Sequence, residues 1–166
     1  MKLKTKIKDI AVIAMMSVVL LAVQVVLSFI PNVELVSLLI VIYTLVFGWK
    51  TIAIIYIFVI LEGMVFGFGQ WWFNYLYVWI ILFLVVRFFN AGHSYIVCSV
   101  ISGLFGMVFG GLCAVLYLFI GGPGYAFSYW IHGIPFDITH GIANIIVSLV
   151  LFKPVYTLLK RFNKRS

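Results

Sequence analysis

Residues 10–30 read IAVIAMMSVVLLAVQVVLSFI, an apolar run that follows Asp9 and ends at Pro31. An α-helix needs about 20 apolar residues to cross the hydrocarbon core of a bilayer, so this run is long enough to span a membrane. A basic start before an apolar run is also typical of a signal peptide, but this run exceeds the usual hydrophobic region of one, and further apolar runs follow it. We therefore interpret residues 10–30 as the first transmembrane helix.

The composition of the whole chain agrees with this interpretation. Of its 166 residues, 66% are hydrophobic and only 9% are charged, a balance that a water-soluble domain of this size could not bury. The net charge of +7 does not indicate nucleic-acid binding, because the basic residues lie at the ends of apolar runs, where lipid headgroups and topology explain them. Cys98 and Cys113 lie within apolar runs without partners at metal-ligand spacing, which favours packing roles over a disulfide or a zinc site.

The apolar runs predict an all-α fold, an integral membrane bundle of six transmembrane helices in a single domain. Only Gly48, Trp49 and Lys50 separate the second run from the third, which indicates an antiparallel helical hairpin. The fifth run is rich in glycine, which lets a neighbouring helix approach closely. The predicted spans are 10–30, 33–49, 51–67, 71–89, 94–120 and 135–159.

The positive charges test this prediction, because cytoplasmic loops carry an excess of lysine and arginine. With Met1 inside, the inner ends are the N-terminus, the loop at Lys50, the loop from Arg87 to His93 and the C-terminus. An odd number of spans would spoil the match, so the sequence predicts six spans and two cytoplasmic termini. All eleven Lys and Arg residues lie at those ends: Lys2, Lys4, Lys6, Lys8, Lys50, Arg87, Lys153, Lys160, Arg161, Lys164 and Arg165.

The polar and aromatic residues of the spans gather on the opposite side. The inner halves of the spans are almost purely apolar, whereas a channel or proton relay would need polar groups that continue to the inner face. The pattern therefore favours a recess that opens only to the outside. The polar residues of the outer half are Glu34, Glu62, Gln70, Asn74, His132, Asp137, His140 and Asn144, and the surrounding rings are Trp71, Trp72, Tyr75, Tyr77, Tyr125, Tyr129 and Trp130.

The leading candidate for a binding site lies in residues 121–144, GGPGYAFSYWIHGIPFDITHGIAN. Pro135 suits the first turn of a helix, and in a helix that starts there Asp137, His140 and Asn144 share one face. Polar groups at this depth are costly unless they face protein, water or ligand. The alternatives are hydrogen bonding between helices for the polar stripe and an interfacial belt for about half of the aromatic residues.

The chemistry of this region favours a small organic ligand. Rings with a few hydrogen-bonding groups suit a flat, partly polar heterocycle, and acids without lysine or arginine disfavour a strongly anionic one. A metal-uptake subunit with Glu62, His132, Asp137 and His140 as ligands is one alternative, and a purely structural membrane protein is another. The sequence contains no phosphate-binding loop and no nucleophile beside a base, so we expect neither an enzyme nor a bound cofactor.

Three segments carry a resemblance to a known family: FGFGQWWFNYLY at 66–77, GIPFDITHGIAN at 133–144 and IPNVELVSLLIVIYTLVFGWK at 30–50. With the length, the six spans and the basic inner ends, the chain resembles the substrate-binding S-components of energy-coupling factor (ECF) vitamin transporters in Gram-positive bacteria. The resemblance implies a multi-pass protein of the bacterial cell membrane that captures a micronutrient from outside. Such a subunit docks on a transmembrane coupling subunit driven by two ATPases and topples in the membrane to release its cargo.

The resemblance also implies where ligand and partner bind. Family ligands lie in the outer half, against the fourth to sixth helices and under the loops after the first, third and fifth. Pyridoxine-type compounds, cobalamin or its benzimidazole precursor, and queuosine precursors all remain open as ligands. The implied substrate-binding residues are Glu62, Trp72, Asn74, Tyr75, Tyr129, His132, Asp137, His140 and Asn144, and the implied docking residues on the first helix are Ala11, Ala14, Ser17 and Ala22.

Overall fold

A computed structural model of the chain describes residues 2–89 and 94–165, with side chains for 6–89 and 94–164. Within these ranges it contains five helices and no β-strand, which confirms the all-α prediction. Residues 90–93 of the predicted inner loop from Arg87 to His93 lie outside the described residues. The helices are α1 (Lys2–Leu27), α2 (Val36–Phe47), α3 (Lys50–Phe66), α4 (Gln70–Phe88) and α5 (Tyr95–Arg165).

Helix α5 is 71 residues long but is broken at Gly122, where φ is 78° and ψ is −179°. A positive φ of this kind costs glycine little, and the break divides α5 into two arms, 95–121 and 123–165. The arms run antiparallel, since Asn144 bonds the Ser102 carbonyl and Asp137 bonds the Gly110 amide. The chain thus reverses direction at Gly122 and forms a helical hairpin.

The predicted start of the last span at Pro135 is wrong. The second arm begins directly after Gly122, so Pro123 occupies its first turn and Pro135 lies in its interior. A proline inside a helix lacks an N–H for the ladder, yet membrane helices tolerate it where nearby groups satisfy the backbone. Beside this proline, the Thr139 hydroxyl donates a hydrogen bond to the Pro135 carbonyl at 2.9 Å. The arm also continues past the predicted end at residue 159.

Helix α2 starts at Val36 rather than at residue 33, because residues 28–35 form a separate turn, here called the 28–35 segment. Asn32 has a φ of 61°, a left-handed conformation that asparagine tolerates better than most residues. The Ser37 amide donates to Glu34 Oε2 at 2.8 Å and so receives a side-chain partner at the start of α2. The segment therefore turns the chain tightly from α1 into α2.

The centre of the bundle is α2, which packs against each of the other four helices. Ten of its 12 residues are buried, as expected for a helix that is hydrophobic on all sides and enclosed by neighbours. Its aromatic core residue Tyr43 is fully buried, together with Phe58 of α3 and Phe83 of α4. Twelve residues span only about 18 Å, so α2 is shorter than the hydrocarbon core of a bilayer.

Basic residues mark one end of the bundle, here called the basic end. Lys50 at the start of α3 forms an ion pair of 2.6 Å with Asp9 near the start of α1. Arg87 in the last turn of α4 lies over the Trp49 ring, 5.5 Å from its centroid. Alternate helix ends are thus joined here, as an up-and-down bundle requires. Two further contacts at this end are Asn163 Nδ2 to the Val46 carbonyl at 3.1 Å and Lys153 Nζ to the Tyr95 ring at 4.1 Å.

Within residues 2–89 and 94–165, three helical stretches are long and apolar enough to cross a membrane: Lys6–Leu27, Gln70–Phe88 and Tyr95–Lys164. A fourth apolar helix, Val36–Phe47, is shorter. These stretches are compatible with a membrane protein. The count of six spans goes further than this finding and stays a prediction.

The two arms of α5 approach so closely that side chains are excluded from their contact. A Cβ atom added at Gly106 would lie 2.9 Å from both the Cα and the backbone nitrogen of Gly141. Those are backbone atoms, which cannot move aside as a flexible side chain could. The glycine-rich pattern of the fifth predicted span thus corresponds to close helix packing within the hairpin.

Gly106→Ala should therefore destabilise the protein by about 1–3 kcal/mol, the usual cost of overpacking. Gly124→Ala is the matched control, since a Cβ there meets nothing within 4 Å and alanine favours the helix. Thermal unfolding of the purified variants in detergent, followed by circular dichroism, measures the difference. Equal midpoints for the two variants would contradict the close approach of the arms.

Candidate ligand-binding site

A cavity of about 610 Å³ lies at the end of the bundle opposite the basic end. Its walls are the last turn of α1, the 28–35 segment, the first half of α4 and both arms of α5. The volume lies within the range of small-molecule pockets. Its polar lining residues are Gln24, Ser28, Asn32, Glu34, Ser128, His132, Asp137 and His140, and its aromatic lining residues are Tyr75, Trp79, Phe109, Tyr125, Tyr129 and Phe136.

One side of the cavity is held by a bridge between Glu34 and His140. His140 Nε2 lies 3.3 Å from Glu34 Oε1, and the two residues are 106 positions apart in the chain. Burial raises the pKa of Glu34, but hydrogen bonds from His140 and Ser37 and the charge of His140 outweigh it, so the pKa lies below its ordinary value of 4.5. The bridge ties the 28–35 segment to the second arm of α5.

Asp137 presents a second carboxylate to the cavity. Its Oδ1 accepts a hydrogen bond of 2.8 Å from the Gly110 amide, while its buried Oδ2 has no partner among the described residues. A Cβ at position 110 would lie 2.7 and 2.8 Å from the two carboxylate oxygens, so the contact depends on glycine there. Asp137 thus lines the cavity as a residue only 6% exposed and carries a buried carboxylate oxygen that is not hydrogen-bonded to any described residue.

Aromatic rings form the floor of the cavity and pack against one another in tilted or edge-to-face pairs. The ring centroids of Trp79 and Phe109 are 5.7 Å apart, and those of Tyr75 and Trp79 are 5.4 Å apart. The Phe109 ring also lies 5.2 Å from the His140 imidazole at an interplanar angle of 70°. These contacts fix the imidazole in place and offer ring surface to a flat ligand.

The structure brings five of the nine predicted substrate-binding residues together in this cavity. Among them, His132 is exposed, and its Nδ1 lies 2.7 Å from the Ser128 carbonyl of its own helix, to which it can donate. The other four make contacts between helices or between the two arms of α5: Tyr75 with Phe109, Tyr129 with Tyr117, Asp137 with Gly110, and His140 with Glu34 and Phe109. The five residues are Tyr75, Tyr129, His132, Asp137 and His140.

Two predicted residues of α4 do not line the cavity. The Trp72 indole donates to the Val59 carbonyl at 2.8 Å and fastens α4 to α3. Asn74 is buried, with its Oδ1 3.0 Å from the Tyr77 hydroxyl. Trp72 thus serves the packing of α4 against α3, and Asn74 bonds to a residue of its own helix.

The remaining two predicted residues, Glu62 and Asn144, also lie outside the cavity lining. Asn144 Nδ2 donates to the Ser102 carbonyl at 3.4 Å, across the two arms of α5. Glu62 is 2% exposed, and its Oε1 has no hydrogen-bond partner among the described residues. The three residues of the predicted stripe do share the buried side of the arm, but only Asp137 and His140 reach the cavity.

Sequence reasoning did not select several lining residues as site residues. Trp79 lies four positions after Tyr75 and so shares its helix face, which is the signal that could have identified it. Glu34 and Tyr125 were grouped with the outer residues but not assigned to the site. Phe109 gave no usable signal, because an aromatic residue within an apolar run looks like lipid-facing or core sequence.

The metal alternative finds no support in the geometry of the described side chains. Among residues 6–89 and 94–164, no group of three or more His, Cys, Asp or Glu side chains is arranged to hold a metal ion. Of the four ligands considered, Glu62 does not line the cavity and His132 is exposed.

The predicted docking residues on α1 do not share one face. Ala11, Ala14 and Ala22 are exposed, whereas Ser17 is fully buried. The Ser17 hydroxyl lies 2.9 Å from the Ile13 carbonyl and 3.0 Å from the Ile54 carbonyl of α3. Ser17 therefore faces α3, and we remove it from the docking surface.

The features described so far are a helical bundle with stretches able to cross a membrane and a cavity at one end. Comparisons with protein-family models, with curated proteins and with solved structures found no match to this chain. A functional proposal therefore depends on the cavity and its surroundings.

The Glu34–His140 bridge should make the stability of the protein depend on pH. Because the pKa of Glu34 is lower in the folded than in the unfolded state, its stabilising contribution is complete above the ordinary value and is lost as the pH falls through the folded value. The thermal midpoint of the wild type should exceed that of Glu34→Gln at pH 6–7, and the gap should narrow as the pH falls below the ordinary value of 4.5 and through the lower folded pKa. A gap that is constant with pH would contradict the bridge.

Proposed function

We propose that this chain is the substrate-binding S-component of an ECF-type importer in the bacterial cell membrane, with six spans and two cytoplasmic termini. It captures a vitamin or a related small heterocycle from outside and delivers it by docking on a coupling subunit. The observation that carries the proposal is the cavity itself. It has the volume of a small-molecule site, combines rings with a few hydrogen-bonding groups, and lies at the end opposite the basic residues.

The position of the cavity supports capture from outside. Basic residues favour the cytoplasmic side of a membrane, so the opposite end of the bundle faces outward. Towards the basic end, the described core is dominated by packed apolar side chains such as Phe58, Phe83 and Ile40, with isolated hydroxyl residues such as Thr44 and Ser148 between them. A channel would need a continuous path of polar groups. A cavity that is closed towards the basic end fits a receptor that releases its ligand by moving as a whole.

The polar groups of the cavity support binding rather than catalysis. The Ser128 hydroxyl lies 3.5 Å from His132 Nδ1, at the limit of a hydrogen bond, and that nitrogen is already 2.7 Å from the Ser128 carbonyl. The imidazole is therefore not set to take a proton from the hydroxyl. A binding subunit of this kind obtains its energy from partners, which we propose to be a coupling subunit and two ATPases.

The exposed alanines of α1 provide the proposed contact with the coupling subunit. Ala11, Ala14 and Ala22 lie on the lipid-facing side of the helix and have small side chains that allow close helix approach. Val18 is exposed on the same helix, between Ala14 and Ala22. We therefore propose Val18 in place of Ser17 as part of the docking surface.

The capture proposal is tested by the ligand that stays bound to the purified protein. We expect mass spectrometry to find a small heterocycle with the wild type, and Tyr129→Ala to weaken its binding by at least about tenfold through loss of ring contact. Trp130→Ala is the matched control, since Trp130 neighbours Tyr129 but does not line the cavity. A bound metal ion, or equal effects of the two variants, would contradict the proposal, and so would cavity variants that change folding yield alone.

The proposed orientation is tested by labelling of engineered cysteines in intact cells. A membrane-impermeant maleimide should label Tyr125→Cys, because Tyr125 is half exposed at the cavity end, and should not label Lys50→Cys at the basic end. Cys98 and Cys113 are buried, so background labelling should be low. Permeabilised cells, in which both positions react, serve as the control. Labelling of both positions in intact cells would refute the outward-facing cavity.

A further inference from the structure

We infer that the ligand carries a positively charged N–H group, such as an ammonium, an amidinium or a protonated ring nitrogen, and that this group binds Asp137 Oδ2. The inference rests on the proposed function in taking the cavity as a ligand site. It adds the charge of the ligand and the atom that recognises it. Three independent features of the cavity support it: its net charge, its free carboxylate oxygen and its aromatic floor.

The charge of the lining favours a cation. Glu34 and Asp137 contribute two carboxylates, and the lining contains no lysine or arginine among the described residues. Even with His140 counted as a cation, the two carboxylates leave an excess of one negative charge. His132 is exposed to solvent, where its charge would be screened. The negative charge of the lining would therefore repel an anionic ligand and attract a cationic one.

Asp137 provides the specific contact. Its Oδ1 accepts a hydrogen bond from the Gly110 amide, whereas its buried Oδ2 accepts none from any residue that the structure describes. A buried carboxylate oxygen without a donor costs free energy, and a charged N–H donor forms the strongest bond it can accept. A ligand oxygen that only accepts hydrogen bonds would meet this atom unfavourably. The free oxygen thus selects a donor, and its negative charge selects a cationic one.

The aromatic floor favours the same class of ligand. Tyr75, Trp79 and Phe109 line the cavity beside Asp137, and the faces of such rings attract cations as well as flat molecules. The Phe109 ring lies 5.2 Å from the His140 imidazole, close to the second carboxylate, Glu34. Ring faces and carboxylates are therefore adjacent. A flat ring with an amidinium or a protonated nitrogen would satisfy both at once.

Benzamidine, benzamide and benzoate test the inference, since they are nearly equal in shape and carry positive, zero and negative charge. Isothermal titration of the purified protein should show benzamidine binding about tenfold or more tightly than benzamide, the effect of a charge-assisted hydrogen bond. Benzoate should show no binding. A lack of benzamidine binding, or equal binding of all three probes, would overturn the inference.

Asp137→Asn keeps the size of the side chain and an acceptor for the Gly110 amide but removes the charge, so it should abolish the preference for benzamidine. Glu62→Gln is the matched control, because it removes a buried acid outside the cavity and should leave the preference unchanged. If Asp137→Asn still prefers benzamidine, or if Glu62→Gln loses that preference, Asp137 Oδ2 is not the atom that recognises the positive charge. If Asp137→Asn fails to fold, the three probes on the wild type still decide on the charge.

The natural ligand separates this inference from the proposed function. A neutral or anionic heterocycle bound to the wild type would refute the positive charge but leave capture in place. The absence of any bound organic molecule, with no uptake when the chain is expressed with a coupling module, would refute capture itself.

Discussion

The central helix of this protein is too short to fill the bundle that surrounds it. Helix α2 has 12 residues and spans about 18 Å, whereas the arm 95–121 beside it spans about 40 Å. No residue of α2 lines the cavity, which instead lies beyond its first turn, under the 28–35 segment. The recess is thus space that a longer α2 would have occupied. The segment that precedes α2 becomes its wall, and the hairpin of α5 becomes the opposite wall.

Within the cavity, the orientation of the Asp137 carboxylate depends on the backbone of Gly110. Asp137 reaches the Gly110 amide because position 110 has no side chain, and this contact orients the carboxylate so that one oxygen is bonded and the other is not. Glu34 is held differently, by a side chain from the opposite wall and by the Ser37 amide. The two acids of the cavity are thus fixed by separate partners, and neither needs the other to keep its position.

Local pattern in the sequence was enough to predict the helical class, the polar stripe and the gathering of rings at one end. The prediction failed where two positions fitted the same local rule equally well. Pro123 and Pro135 both suit the first turn of a helix, and only the packing of the arms around Gly122 decides between them. It also failed for Trp72 and Asn144, whose side chains donate hydrogen bonds to carbonyls of a neighbouring helix or arm. The same residue types occur in ligand sites, so the sequence does not distinguish the two roles. Contacts between distant residues, such as Glu34 with His140, have no local signal at all.

The length of α3 has a consequence for the lipid around the protein. With 17 residues it spans about 26 Å, about 4 Å less than a typical hydrocarbon core, while its neighbour α1 has 26 residues and is amply long. In the proposed membrane placement, exposed side chains such as Ile57, Ile60 and Met64 would face lipid. The bilayer would then thin beside α3 and not beside α1. Such uneven hydrophobic mismatch favours a tilted pose, which would lower the work of the rotation that we propose for this subunit.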